Sequence, residues 1–175
     1  KCFLKGEACV PTVMSNKALE DYLDSFDLKL NRTDVGDKNV LENMKDNNIN
    51  FGGEQSGHVI FSDVSKTGDG LATALQVLSY LIESGKKASV ALNKFELYPQ
   101  VLKNIKVSEK IPLDKIDGLT DIQAEIKSKG MRDLIRYSGT ENKLRVLIEG
   151  RDKKLVDEYM DKLVEFLTKV LWSKS

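Results

Sequence analysis

Within ten residues, Arg136-Tyr137-Ser138-Gly139-Thr140-Glu141-Asn142-Lys143-Leu144-Arg145 gathers two guanidinium groups, two aliphatic hydroxyls and a glycine. A phosphate ester is a dianion. Arginine offers it paired N–H donors in a fixed fork, and hydroxyl and backbone N–H groups can complete its oxygens. If residues 134–137 and 144–149 are the strands of a hairpin, Arg136 and Arg145 lie near the loop ends. The period of two then puts both on one face while their apolar neighbours enter a core. Ser138 and Thr140 add hydroxyl donors, and Gly139 permits a turn whose N–H groups face the same anion. The same composition also fits a plain polar hairpin with Arg145 paired to Glu141 or Glu149. The convergence of so many donors favours the anion site.

A second stretch, Gly52-Gly53-Glu54-Gln55-Ser56-Gly57-His58, frames a carboxylate and a hydroxyl with three glycines. Glycine lets the backbone bend and approach a ligand closely. An ionised carboxylate accepts two hydrogen bonds, which suits adjacent hydroxyls of a pyranose, and Ser56 donates or accepts beside it. Composition alone favours a plain turn into the strand His58 to Phe61 with Glu54 in solvent. His58, the only histidine, is either a structural hydrogen-bonding residue or a participant in proton transfer. Gly36-Asp37-Lys38 opens a helix and would set Lys38 beside an anion, although such a turn ordinarily only caps the helix. Gly68-Asp69-Gly70 reads as the start of a long helix with Asp69 as its N-cap.

The elements that must position these groups fall into two sets. The first is alternating: a strand at Cys9 to Met14, a helix capped by Ser15 through Leu19, Tyr22, Leu23 and Phe26, and a strand from Leu28 to Val35. A helix from about Asp37 follows with Val40, Leu41 and Met44, then the strand His58 to Phe61. Last comes a helix from Asp69 to Glu83 with Leu71, Leu75, Leu78, Leu81 and Ile82 on a broad face. This order predicts an α/β domain with a largely buried sheet, over residues 1–95. From about Tyr98-Pro99 the pattern changes. Residues 100–109 form a strand, Leu119 to Lys129 a helix, and Leu134 to Tyr137 and Leu144 to Glu149 two strands. A final helix carries Leu155, Val156, Tyr159, Met160, Leu163, Phe166, Leu167 and Val170. The β-α-β-β-α order predicts a smaller α+β domain over residues 96–175, with its helices on one face of an antiparallel sheet.

The chain has 175 residues, 41% of them hydrophobic, so a packed core is expected and wholesale disorder is not. Lys plus Arg and Asp plus Glu are 27 each, which argues against a nucleic-acid partner without excluding a local anion site. Cys2 and Cys9 read as two free thiols of a reducing cytosol. The sequence has no membrane-length apolar run. It does not begin with Met, so it is expected to be a fragment or a processed product.

GGEQSGH at Gly52–His58 and RYSGTENKLRV at Arg136–Val146 resemble the sugar-binding and phosphate-binding loops of the α-D-phosphohexomutases. Their wording is most similar to the phosphoglucosamine mutase branch, and the resemblance extends over nearly the whole chain. It implies a four-domain enzyme of which this chain holds most of domain three and all of domain four. It implies that Glu54 and Ser56 bind sugar hydroxyls and that Lys38 orients the sugar phosphate. His58 would lie near the reacting end, and Arg136, Ser138, Gly139, Thr140 and Arg145 would hold the phosphate that is not transferred. Many relatives have Arg at the position of Lys38 and Pro at that of Asn142. The implied reaction interconverts glucosamine 6-phosphate and glucosamine 1-phosphate through a phosphoserine and a bisphosphorylated sugar. The implied Mg²⁺ and phosphoserine loops do not occur in this sequence. The chain alone is therefore expected to be inactive and to bind no metal, and to work with the missing N-terminal domains of the same polypeptide in the cytoplasm. Alternatives are a phosphomannomutase or phosphoglucomutase, or a non-catalytic sugar-phosphate-binding module.

Overall fold

The computed structural model describes residues 4–172, and Cys2 lies outside them. The chain divides into two compact units, one ending at Leu97 and the other beginning at Tyr98.

The first unit is built on a four-stranded sheet of order β2-β1-β3-β4, from β1 (Ala8–Pro11), β2 (Lys29–Leu30), β3 (Phe51–Gly53) and β4 (Val59–Phe61). β1 runs parallel to β2 and β3, and β4 closes an antiparallel hairpin with β3. Its helices are α1 (Lys17–Asp24), α2 (Asp37–Asp46), α3 (Gly70–Ser84) and the short α4 (Ala88–Ala91). α1 is capped by Asn16, whose side chain accepts from Ala18 N at 3.0 Å. The expected cap, Ser15, instead has its backbone N–H turned to Thr12 O at 3.0 Å. The strand expected over Leu28 to Val35 shrinks to two residues plus an isolated bridge from Thr33 to Thr12. α3 begins as expected, with the Asp69 carboxylate accepting from Leu71 and Ala72 N, both at 3.0 Å.

The broad apolar face expected on α3 is present and lies exposed. Leu71 and Ile82 are 73% and 80% exposed, and none of the helix is buried. The core of this unit forms elsewhere, from Ala8, Val10, Val40, Met44, Ile49 and Ile60. It packs α2 against β1 and β3 so closely that β3 tolerates no side chain at Gly52. A Cβ there would meet Met44 Sδ at 2.7 Å and Val40 Cγ1 at 2.8 Å. The buried Cys9 thiol is free, and burial pushes it up to about 11 against the opposing charge of Arg32.

The second unit is the antiparallel sheet β5-β7-β6, from β5 (Gln100–Lys106), β6 (Arg132–Tyr137) and β7 (Lys143–Glu149). A 3₁₀ turn at Leu113–Lys115, α5 (Leu119–Ser128) and α6 (Lys153–Trp172) complete it. The β-α-β-β-α order is as expected. The alternation of β7 sends Leu144, Val146 and Ile148 into the core with Val156, Met160, Leu163 and Leu167 of α6. Those four lie at i, i+4, i+7 and i+11, one stripe of a helix. No helix of the described residues is long and apolar enough to cross a membrane.

Two glycines with opposite surroundings test this packing. Gly52→Ala should destabilise the first unit by about 1–3 kcal/mol through overpacking. Gly70→Ala, with open space around its position, should be neutral or stabilise by up to about 1 kcal/mol at the start of α3. Urea unfolding followed by circular dichroism reads both.

Candidate functional site

The arginine hairpin owes its geometry to register. β6 and β7 pair so that Ile135 lies opposite Val146 and Arg136 opposite Arg145. Ile135 and Val146 are buried in the helix-covered core, and the pleat therefore sends both guanidinium groups to the other face of the sheet. Directly opposed side chains have Cβ atoms only about 5 Å apart, where like charges repel. The pair is partly offset by Glu141, whose Oε2 is 3.8 Å from Arg145 Nη2. Arg145 Nε is buried with no hydrogen-bond partner among the described residues. A buried donor without an acceptor is costly, and an anion's oxygen is the group that would relieve it.

Ser138 follows β6 and is only 2% exposed. Its N–H donates to Lys143 O at 2.8 Å and its carbonyl accepts from Lys110 Nζ at 2.7 Å. Thr140 and Glu141 are exposed at the tip. Gly139 differs from expectation. It has no positive φ, and a Cβ there would meet nothing within 4 Å. The turn does not need glycine; the residue leaves the loop backbone uncovered. Glu149 is not the partner of Arg145 either. It is buried and paired with Arg132 at 2.6 Å, directly across the ladder.

Two neighbours of the arginine pair carry no signal in the local sequence. Asn104 pairs with Arg145 from β5, so Asn104, Arg145 and Arg136 form one cross-strand row. Only the register reveals that. Lys110 joins the loop by its bond to Ser138, and nothing in the local sequence marks it.

The glycine-framed stretch is the β3–β4 hairpin. Glu54 N donates to His58 O at 2.8 Å and Gly57 N to Glu54 O at 3.0 Å, with Gly57 at φ +102°. Gly52 and Gly53 serve packing rather than ligand approach. A Cβ on Gly53 would lie 2.6 Å from His58 O. The turn brings three expected residues together. The Glu54 side chain is only 11% exposed, with Oε2 3.7 Å from His58 Nδ1. Ser56 Oγ is 3.4 Å from the same nitrogen. Glu54 Oε1 accepts from Gly36 N at 3.0 Å. Lys38 does not join them. Its side chain is 82% exposed and pairs loosely with Glu42 of its own helix at 3.7 Å. Among the described residues no three His, Cys, Asp or Glu side chains cluster as a metal site would require.

Comparison with known proteins follows the same division. Residues 3–98 match the family profile of phosphoglucomutase/phosphomannomutase, alpha/beta/alpha domain III, and residues 102–166 match the phosphoglucomutase/phosphomannomutase C-terminal domain. The phosphoglucosamine mutase of Aliarcobacter butzleri is 64% identical over 96% of this chain and 38% of its own length. That of Campylobacter concisus is 55% identical over the same shares. The chain thus spans 38% of the length of these curated relatives. Among solved structures, an Aspergillus fumigatus N-acetylphosphoglucosamine mutase superposes with a TM-score of 0.78 at 18% identity, over 94% of this chain and 38% of that one. The same enzyme in complex with GlcNAc-6P and magnesium gives 0.74 at 18% identity, over 94% and 39%. At that identity the likeness is one of fold.

The hydrogen bond from Lys143, and after it the charges of Lys143 and Arg145, hold the Glu141 carboxyl below its ordinary 4.5. Its contribution is therefore present above that value and fades as pH falls through the lowered one. A carbon-detected NMR titration should place the Glu141 midpoint below 4.5, and in Lys143→Ala the midpoint should rise.

Proposed function

Because the chain belongs to the phosphoglucomutase/phosphomannomutase family, we propose that it is the sugar- and phosphate-binding portion of a phosphoglucosamine mutase. The carrying observation is the cross-strand pair Arg136 and Arg145 with the acceptor-less Nε of Arg145. Relatives named phosphoglucosamine mutase at 64% and 55% identity support the choice of branch.

In this reading Arg136, Arg145, Ser138, Thr140 and the backbone at Gly139 hold the phosphate that is not transferred. Glu54 and Ser56 accept from and donate to sugar hydroxyls, and His58 assists proton movement at the reacting oxygen. Lys38 supplies charge to the sugar phosphate by extending from its exposed position. The longer enzyme would interconvert glucosamine 6-phosphate and glucosamine 1-phosphate. A serine phosphoryl group passes to the free sugar oxygen: its bond to serine breaks as the new O–P bond forms. The bisphosphorylated sugar then returns its other phosphoryl group to serine. An anchor for one phosphate and acceptors for ring hydroxyls suit a sugar that must be held in either orientation. Positioning and charge neutralisation supply most of the catalysis in such transfers.

Among the described residues none cluster as a magnesium site would need, so in this reading Mg²⁺ would be held by the rest of the longer enzyme, where it would neutralise phosphoryl charge. The proposal includes a cytoplasmic location, supported by the free thiol of Cys9.

Calorimetry with glucosamine 6-phosphate tests the anchor. Arg136→Ala or Arg145→Ala should each cost about 2–5 kcal/mol of binding, and an unchanged Kd would remove the cradle. Glu54→Gln should weaken the sugar phosphate while sparing inorganic phosphate. The 175-residue chain by itself should turn over no glucosamine 6-phosphate, and product formation would refute the assignment of the transferring serine to the rest of the enzyme. Comparing glucosamine, glucose and mannose phosphates as substrates of the longer enzyme decides the branch.

A further inference from the structure

We propose that Gly36 is a positioning residue: its backbone N–H fixes the Glu54 carboxylate so that the opposite oxygen is presented to the ligand. The proposal rests on the reading of Glu54 as the acceptor of sugar hydroxyls, and deepens it.

Gly36 is the N-cap of α2, and its carbonyl accepts from Asn39 N at 3.0 Å and Val40 N at 3.2 Å. The residue is thus pinned on one side by the helix. On the other side its N–H donates to Glu54 Oε1 at 3.0 Å, across 18 residues of sequence. In an ordinary capping box a Glu or Gln three residues into the helix reaches back to the cap N–H. Here that position is Asn39, whose Nδ2 donates to Val35 O at 3.0 Å instead. The acceptor comes from the end of β3. The helix gains a negative charge at its N-terminus, where the dipole favours it, and the carboxylate gains a fixed orientation.

The division of the two oxygens follows. Oε1 is committed to Gly36. Oε2 faces His58 Nδ1 at 3.7 Å, beyond hydrogen-bond reach, so its lone pairs remain for a ligand hydroxyl. The Glu54 backbone is locked by its two bonds to the hairpin, which leaves the side-chain torsions as the freedom that Gly36 removes. The cap sits at φ 128° and ψ 130°, a region essentially reserved for glycine. Space is not the obstacle, since a Cβ would lie 3.4 Å from Asn39 Nδ2. An L side chain would instead force the backbone out of this conformation and swing the N–H away from Glu54.

A double-mutant cycle of Gly36→Ala and Glu54→Ala tests the coupling, with affinities for glucosamine 6-phosphate and inorganic phosphate measured by calorimetry on the 175-residue chain. Gly36→Ala should weaken glucosamine 6-phosphate by about tenfold, the scale of one hydrogen bond to a charged group, and leave inorganic phosphate unchanged. It should cost nothing further once residue 54 is Ala. Equal losses for both ligands, additive losses in the double variant, or no loss in Gly36→Ala would each overturn the positioning role. If Glu54→Ala alone leaves glucosamine 6-phosphate binding intact, the hydroxyl reading fails first and takes the proposal with it. A second measurement avoids any change at Gly36: its amide proton should be protected from exchange, and Glu54→Ala should abolish that protection while the amides of α2 beyond its first turn stay protected. Retained protection of Gly36 would also overturn the proposal.

Discussion

The register of β6 on β7 is the constraint from which the candidate anion site follows. Ile135 opposite Val146 belongs to the core under α5 and α6. With that pair fixed, Arg136 and Arg145 must stand opposite each other on the face those helices leave open. A slip of β6 by one residue would turn Arg136 into the core and expose Ile135, while β7 stays held by β5, so the hydrophobic effect holds the register that the charges alone would oppose. The core of the second unit thereby stabilises an arrangement of like charges that an anion would relieve. The unpartnered Arg145 Nε is the local sign of that tension.

The first unit solves a similar problem with different chemistry. Its carboxylate is placed by a backbone N–H rather than by a ladder partner, and the close approach of α2 to β3 sets the distance between them. That approach depends on Gly52, where any Cβ would collide with Met44 and Val40. The helix whose N-cap holds Glu54 is therefore seated by the glycine two residues before Glu54. Packing and site geometry share one short segment, and this explains why a motif suggestive of ligand approach turns out to be largely occupied with helix packing.

Much of this was legible in the sequence, and the misses have physical causes. The alternation of Leu144, Val146 and Ile148 against α6's stripe at Val156, Met160, Leu163 and Leu167 announced the second unit, because burial on one face imposes periods of two and 3.6. Asp69 announced its helix through ordinary capping chemistry. The first unit was harder. β3 is only Phe51–Gly53, two of its three residues being glycine, so it carries no periodic signal. Ser15 and Asn16 are equally good caps by type, and a turn to Thr12 decided between them. For α3 the apolar pattern was read correctly as a helix, but pattern fixes which residues share a face and not whether that face is covered. Among the candidate site residues, Arg136 and Arg145 were visible because residue type and local spacing sufficed. Gly36, Asn104 and Lys110 were not, because each acts through a contact that exists only after strands and turns distant in sequence are paired.

The two departures from the resembled pattern bear on how such a site tolerates change. Asn142 stands where the resemblance implies Pro, and its carbonyl accepts from Val107 N at 3.1 Å. Proline keeps its carbonyl and loses only its N–H, so either residue can extend the β5–β7 ladder by that bond. What proline would add is a fixed φ in the loop. Lys38 stands where the resemblance implies Arg, and its side chain is exposed on the helix surface. An ammonium group on a flexible stem acts as a point charge and needs no fixed angle. Arg136 and Arg145 have no such latitude, since their fork geometry is set by the sheet. The substitutions therefore fall where directionality is least demanded, and the residues that require it are held by the core.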